Sequence, residues 1–308
     1  MSHGGFLVTG GHGFIGSNLA RRLEVEGKTA VLSRPGGSRW RLAGLENRIQ
    51  TVEADIRDYE TIHRAFARLR PEIVFHCAMP HGHPRTPDQR REFLDASVMG
   101  TVNVLEAAIQ AGATRLVHLG SSLVYGPQAR PLHEDDPMDP PTARGAAKAG
   151  AAIVVRQWAA AASLSTIELR LFSVYGPWEA SSRFVPRLLS CAADGSTLPL
   201  CRGPKHDWVF VGDVVEACLK AVDSALGPGE VINIGSGELT DNDGVVAAAS
   251  AATGRPIAAE PGGYQAGPQD AAPRQADISA ARTRLGWAPR HSLAEGLAAS
   301  YDWQKRFR

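Results

Sequence analysis

Lysine is scarce in this chain. Of the 33 basic residues only five are lysines (Lys28, Lys148, Lys205, Lys220, Lys305), and the rest are arginines. A lysine at a chemically suggestive position therefore stands out. Net charge is almost missing too, since Lys+Arg 33 against Asp+Glu 32 leaves +1. Such a balance lacks the clustered basic charge by which proteins hold nucleic acid or anionic membranes, so neither partner is expected. Cysteine is confined to Cys77, Cys191, Cys201 and Cys218, widely spaced and without a CxxC pair or Cys/His cluster, so no metal is expected. With 44% hydrophobic residues the chain has core material enough to do without disulfides. No stretch approaches about 18 uninterrupted apolar residues, which excludes a transmembrane helix. The start, MSHGGFLVTGG, reaches a strand within a few residues and leaves no room for a signal peptide. The expectation is a reduced, cytoplasmic protein.

What is present is an alternation of strand and helix over 308 residues, a length that suits one large domain or two interlocked ones. Short apolar runs at Phe6–Thr9, Thr29–Leu32, Ile49–Val52, Glu72–Phe75, Leu116–Leu119 and Thr166–Leu171 read as strands. Helical spacing fills the gaps at Ser17–Glu26, Tyr59–Arg68, Glu92–Ala111 and Gly145–Ala162. Strands that are apolar throughout and separated by helices predict a parallel sheet covered on both faces, an α/β fold. Beyond Gly176-Pro177 the pattern loosens. Phe184–Ala193 reads as a helix, Val209–Val211 and Val231–Ile234 as short strands, and Ile278–Leu285 as a last helical piece.

The sharpest motif is Gly10-Gly11-His12-Gly13-Phe14-Ile15-Gly16, which closes the first strand and opens the first helix. Gly10 allows a tight turn, Gly13 lets a pyrophosphate approach the backbone, and Gly16 lets helix and strand pack closely. The amides at Phe14 and Ile15 then face a phosphate at a helix N-terminus. This context predicts dinucleotide binding. At the tip of the second strand stand Ser33 and Arg34, with Arg39 and Arg41 close behind and no acid at the tip. A carboxylate there would hold a ribose 2′-hydroxyl, whereas a guanidinium suits a 2′-phosphate. NADP is therefore the favoured cofactor, with NAD possible.

GGHGFIGS and Asp55-Ile56-Arg57-Asp58 are joined by Phe75-His-Cys-Ala78, Gly100-Thr-Val-Asn-Val-Leu-Glu-Ala-Ala108 and Gly120-Ser-Ser-Leu-Val-Tyr-Gly-Pro127. Leu169–Pro177, Asp207–Asp213, Asn233–Gly237 and Leu285–Pro289 follow in order. Together they resemble the extended short-chain dehydrogenase/reductases, the NAD(P)-dependent sugar epimerases, dehydratases and reductases. The resemblance implies a Rossmann-type doubly wound parallel sheet (residues 1–172 and 206–235) with a smaller interleaved C-terminal cap (173–205 and 236–308). It places Asp55, Ile56 and Ala78 with Ser33, Arg34 and the glycine loop around the cofactor. It further implies a four-helix homodimer contact through the apolar helices Ser97–Ala111 and Ala146–Ala162.

In that family a Ser or Thr, a Tyr and a Lys run the proton transfers. Ser121 and Lys148 match the first and last, but the tyrosine position is Arg144. A phenol near pKa 10 can be brought toward neutrality by neighbouring charge, whereas a guanidinium above ~12 stays protonated and takes no proton. Arg144 can still polarise a substrate oxygen as a fixed cation. His81, in the loop after the fourth strand, is the first candidate to carry the proton instead, ahead of Tyr125 and Tyr175, which the family uses structurally. Ser122-Leu123 replaces the dehydratases' Asp-Glu, which disfavours a 4,6-dehydratase. Ser122, Ser173, Lys205 and His206 fall where the family binds substrate. His206 stands for one diphosphate-binding arginine and Ala266-Gly267 for a second, leaving Arg183, Arg187, Arg202, Lys205 or Arg274 as substitutes.

Three readings follow. The first is an NADP(H)-dependent epimerase or ketoreductase acting on a nucleotide-linked or otherwise activated sugar. The second is an enzyme of the same scaffold acting on a non-nucleotide specialised metabolite. The third is an NADP(H)-binding protein without catalysis.

Overall fold

The structure is a computed structural model, which describes residues 5–80, 82, 84–161, 164–263, 266–270 and 272–307. Strands β1 (Phe6–Thr9), β2 (Thr29–Ser33), β3 (Gln50–Glu53), β4 (Ile73–His76), β5 (Arg115–Ser121) and β6 (Ser165–Leu171) come first. Three-residue strands β7 (Ser173–Tyr175) and β8 (Leu198–Leu200) follow, then β9 (Lys205–Phe210), β10 (Glu230–Ile234), β11 (Leu239–Asp241) and β12 (Ala259–Pro261). Helices are α1 (Phe14–Leu23), α2 (Tyr59–Leu69), α3 (Pro87–Leu94), α4 (Gly100–Gln110), α5 (Ala143–Ala161), α6 (Phe184–Asp194), α7 (Val211–Asp223), α8 (Asn242–Thr253), α9 (Ser279–Arg284) and α10 (Leu293–Phe307).

Seven strands form one parallel sheet in the order β10-β6-β5-β4-β1-β2-β3. This is the Rossmann-type doubly wound fold that the apolar runs predict. Strand geometry sends alternate side chains to opposite faces, and two cores result. Phe6 and Val8 of β1 and Val31 of β2 join Leu19 and Leu23 of α1 and Val214 of α7 on one face. Leu7, Ala30 and Leu32 face the other way, against Ile62 and Phe66 of α2, Val104 and Leu105 of α4 and Val155 of α5. A third core lies outside the sheet, where α6, α8 and α10 pack Leu188, Leu189, Val245 and Leu297 against Tyr175 and Phe210. The small sheet β11-β9-β7 joins this layer to the main one. Among the described residues no helix is long and apolar enough to cross a membrane.

The differences from the sequence reading have local causes. The single helix expected over Glu92–Ala111 is two, α3 and α4, separated by a π-helical turn at Asp95–Met99. A π turn inserts a single residue into an otherwise helical run, a local change that a coarse apolar pattern does not register. The strand placed at Val209–Val211 is the end of β9, and Val211 already begins α7. The pattern reading passed over α7, α8 and α10. Alanines dilute the amphipathic contrast in α8, and glycines interrupt all three.

Candidate active site

The carboxyl ends of the parallel strands carry the glycine loop, Ser33, Arg34, Asp55, Ile56, Ala78 and Ser121. The strand order reverses between β1 and β4, and a crevice outside the strand ends at such a switch point is where doubly wound sheets bind ligands. The glycine loop spans that point. Gly10 has φ +68°, and a Cβ there would lie 2.7 Å from the Ala78 Cα, so loop and β4 end touch backbone to backbone. A Cβ at Gly16 would lie 2.5 Å from the Gly10 carbonyl oxygen. α1 starts at Phe14, and its N-cap, Gly13, has no side chain to cap it. A bare helix N-terminus behind close-packed glycines is a cradle that fits a pyrophosphate.

Next to it, Ser33 ends β2, buried with no partner for its hydroxyl among the described residues, while Arg34 is exposed. The neighbouring arginines prove to be otherwise engaged. Arg39 pairs with Glu53 at 2.6 Å. Arg41 donates from Nε to the Trp178 carbonyl at 2.7 Å and from Nη1 to the His12 carbonyl at 3.3 Å. Past β3, Asp55 is held low by its bond to Arg57, 2.7 Å away, and Ile56 packs over Gly100 while its carbonyl accepts from Asn103.

At the end of β5 the Ser121 hydroxyl accepts from the Leu123 N–H at 3.2 Å, starting a short turn across the site. α5 begins behind that turn: Thr142 Oγ1 accepts from the Gly145 N–H at 3.0 Å. Arg144 and Lys148 follow one turn apart and so share a face. Lys148 is buried, and its Nζ donates to the Leu119 carbonyl at 3.4 Å, two residues before Ser121. Burial first, and the Arg144 charge second, push the Lys148 ammonium down to about 7, with Glu168 and Cys77 opposing. Arg144 lies within reach of the Arg183 charge, and its buried Nε has no hydrogen-bond partner among the described residues.

Sequence reasoning missed what lies beneath. Glu168 on β6 sits where a Cβ of Gly120 would be, paired with Arg170 at 3.3 Å, and burial raises its carboxyl. His76 bridges the Thr9 and Thr101 hydroxyls at 2.7 and 3.0 Å, and burial lowers it to about 3. In the sequence these are ordinary strand residues, and only their convergence under Lys148 sets them apart.

Tyr125 is anchored: its hydroxyl donates to Asn233 Oδ1 and accepts from Arg170, both at 2.8 Å, and burial lifts it to about 12. Tyr175 is likewise buried and raised, bonded to the Leu293 carbonyl. His81 lies outside the described residues. Ser122 is buried with its carbonyl bonded by Arg274, and Ser173 opens β7. Lys205 opens β9, and His206 beside it faces Asp270 at 3.8 Å. Arg274 is spent on the Ser122 and Tyr125 carbonyls, and Arg202 pairs with Asp243.

A dinucleotide cradle at the switch point, with a Ser and a buried Lys beside it, defines an enzyme that works with a nicotinamide dinucleotide. Residues 6–235 match the NAD dependent epimerase/dehydratase family, and the chain belongs to it; it is an NAD(P)-dependent epimerase-like enzyme. It is 32% identical to the low-salt glycan biosynthesis protein Agl12 of Haloferax volcanii, over 96% of this chain and 97% of that one. It is 31% identical to UDP-glucose 4-epimerase of Mycolicibacterium smegmatis, over 96% and 97%. Among solved structures, MoeE5 in complex with UDP-glucuronic acid and NAD superposes with a TM-score of 0.84 at 29% identity, over 98% and 99% of the two chains.

Proposed function

We propose that this protein is an NADP(H)-dependent sugar-modifying enzyme of epimerase or ketoreductase type, acting on a nucleotide-linked sugar. The observation that carries the reading is Lys148, buried against the Ser121 strand beside an intact glycine cradle. The relative named above for UDP-glucose and the neighbour holding UDP-glucuronic acid support the substrate class. The exposed Arg34, left over once Arg39 and Arg41 are engaged, supports NADP over NAD. The proposed division has residues 1–172 and 206–235 holding the cofactor, with 173–205 and 236–308 capping the substrate.

The cofactor's residues would be Gly10, Gly13, Phe14, Ile15, Gly16, Ser33, Arg34, Asp55, Ile56, Ala78 and Lys148. When bound, the nicotinamide supplies a site that accepts and returns a hydride. Ser121 holds the substrate oxygen, Arg144 polarises it, and Lys148 orients the nicotinamide ribose. Arg144 cannot accept the proton that a hydroxyl loses as its carbon gives up hydride. The sequence offers His81 or water. Lys148 is the carrier whose surroundings support the role, since an amine lowered to about 7 exchanges a proton near neutral pH. The test is hydride transfer from NADPH to a panel of keto sugars, where transfer is expected and its complete absence defeats the proposal.

One observation favours a second reading, an enzyme for a non-nucleotide metabolite. His206 faces Asp270 and Arg274 is committed to backbone carbonyls, so neither stands ready for a diphosphate. Stabilisation against heat by UDP or dTDP would count against it. A homodimer is also proposed. Leu94 at the end of α3, Met99 in the π turn and Ile153 on the adjacent α5 are exposed at 47%, 52% and 44%, apolar side chains on and beside the helices named for the contact.

A further inference from the structure

Three basic side chains cluster at the proposed site, and of these only Arg183 has a carboxylate partner among the described residues, Glu179 at 3.6 Å. Arg144 and Lys148 lie one turn apart on α5, and Arg183, just ahead of α6, is the charge acting on Arg144. No carboxylate pairs with the Arg144 guanidinium among the described residues, and its buried Nε makes no hydrogen bond. The acids nearby are otherwise occupied. Glu179 sits against Arg183 at 3.6 Å, and Glu168 lies under Gly120 with Arg170. A guanidinium whose Nε is buried without a hydrogen bond, beside further positive charge, is costly, and an anion arriving with the substrate would relieve that cost. A neutral hydroxyl would not.

We infer that Arg144, backed by Lys148 and Arg183, receives an oxyanion of the substrate, either a carboxylate on the sugar or a phosphate oxygen. The inference rests on reading the cleft as a sugar site and specifies what that sugar must carry. A guanidinium presents two parallel N–H groups that match a carboxylate or phosphate edge, which an ammonium cannot. Arginine at this position thus has a use of its own, beyond the absence of a phenol.

The experiment is calorimetric titration of the full chain, with cofactor bound, by UDP, UDP-glucose and UDP-glucuronate. Wild type is compared with Arg144→Ala and with Arg144→Gln, which keeps most of the stem should the smaller side chain unfold α5. If the anion is a sugar carboxylate, wild type prefers UDP-glucuronate to UDP-glucose by about 10- to 100-fold, the worth of a charge-assisted pair. Both variants then erase that preference and leave UDP untouched. If it is a phosphate, both variants weaken all three ligands by a similar factor. Unchanged affinities for all three ligands overturn the inference. If wild type binds none of the three, the nucleotide-sugar reading fails instead. Titration of wild type and Arg144→Gln with D-glucuronate and with inorganic phosphate then decides the anion site: weaker binding by the variant supports it, and equal binding overturns it.

Discussion

Lys148 holds a position that is costly for stability and useful for chemistry. Its folded pKa of about 7 lies below the ~10.4 of an unfolded lysine. Below about 7 both states are protonated and the cost of burying the charge is full. As pH rises from about 7 to ~10.4 the unfolded chain holds the extra proton, so this group's contribution makes stability rise with pH. Lys148→Met is accordingly expected to raise the thermal midpoint of the apo protein at pH 7, by roughly 1–2 kcal/mol of stability, while abolishing turnover. Thermal unfolding followed across that pH window checks both the gain and the flattened slope. Arg34 makes a second residue-scale prediction: Arg34→Asp should reverse the preference between NADP and NAD, read as two dissociation constants. The sequence singles out Arg34 by its place at the strand tip but does not say whether Arg39 and Arg41 are free to join it. The structure separates them because Glu53 and Trp178, which engage two of the three, come from β3 and from far along the chain.

At the scale of elements, the glycine loop is the part most legible from sequence, because its requirement is local. Close packing leaves no room at Gly16. Gly16→Ala would press a Cβ against the Gly10 carbonyl and is expected to weaken cofactor binding at least tenfold, measured by fluorescence quenching on titration. The sheet was legible for a similar reason, since apolar runs such as Phe6–Thr9 and Ile73–His76 are buried along their whole length. What escaped was decided by packing. The π turn at Asp95–Met99 packs against α3 and α5, and Gly150 of α5 lies close against Val98 there. α8 and α10 are stabilised against each other and α6 in the third core, which no local periodicity announces.

For the molecule as a whole, the family motifs run through most of the chain, and the sheet order confirms the architecture they imply. The proposed catalytic site was only half legible. Ser121, Arg144 and Lys148 could be read off, but the burial that lowers Lys148 and the cation cluster around Arg144 arise from segments distant in sequence. The exposed apolar side chains of Leu94, Met99 and Ile153 predict a dimer by light scattering, and Ile153→Arg should return a monomer mass. A wild-type monomer would remove the dimer. The central claim, that a lysine moves the proton where the family has a phenol, is tested most directly by the pH profile of single-turnover hydride transfer from a sugar alcohol to bound NADP. The account predicts a rate that rises with an apparent pKa near 7 as Lys148 loses its proton, and that is lost in Lys148→Met. Transfer in wild type that persists in Lys148→Met with the same pH dependence would contradict it.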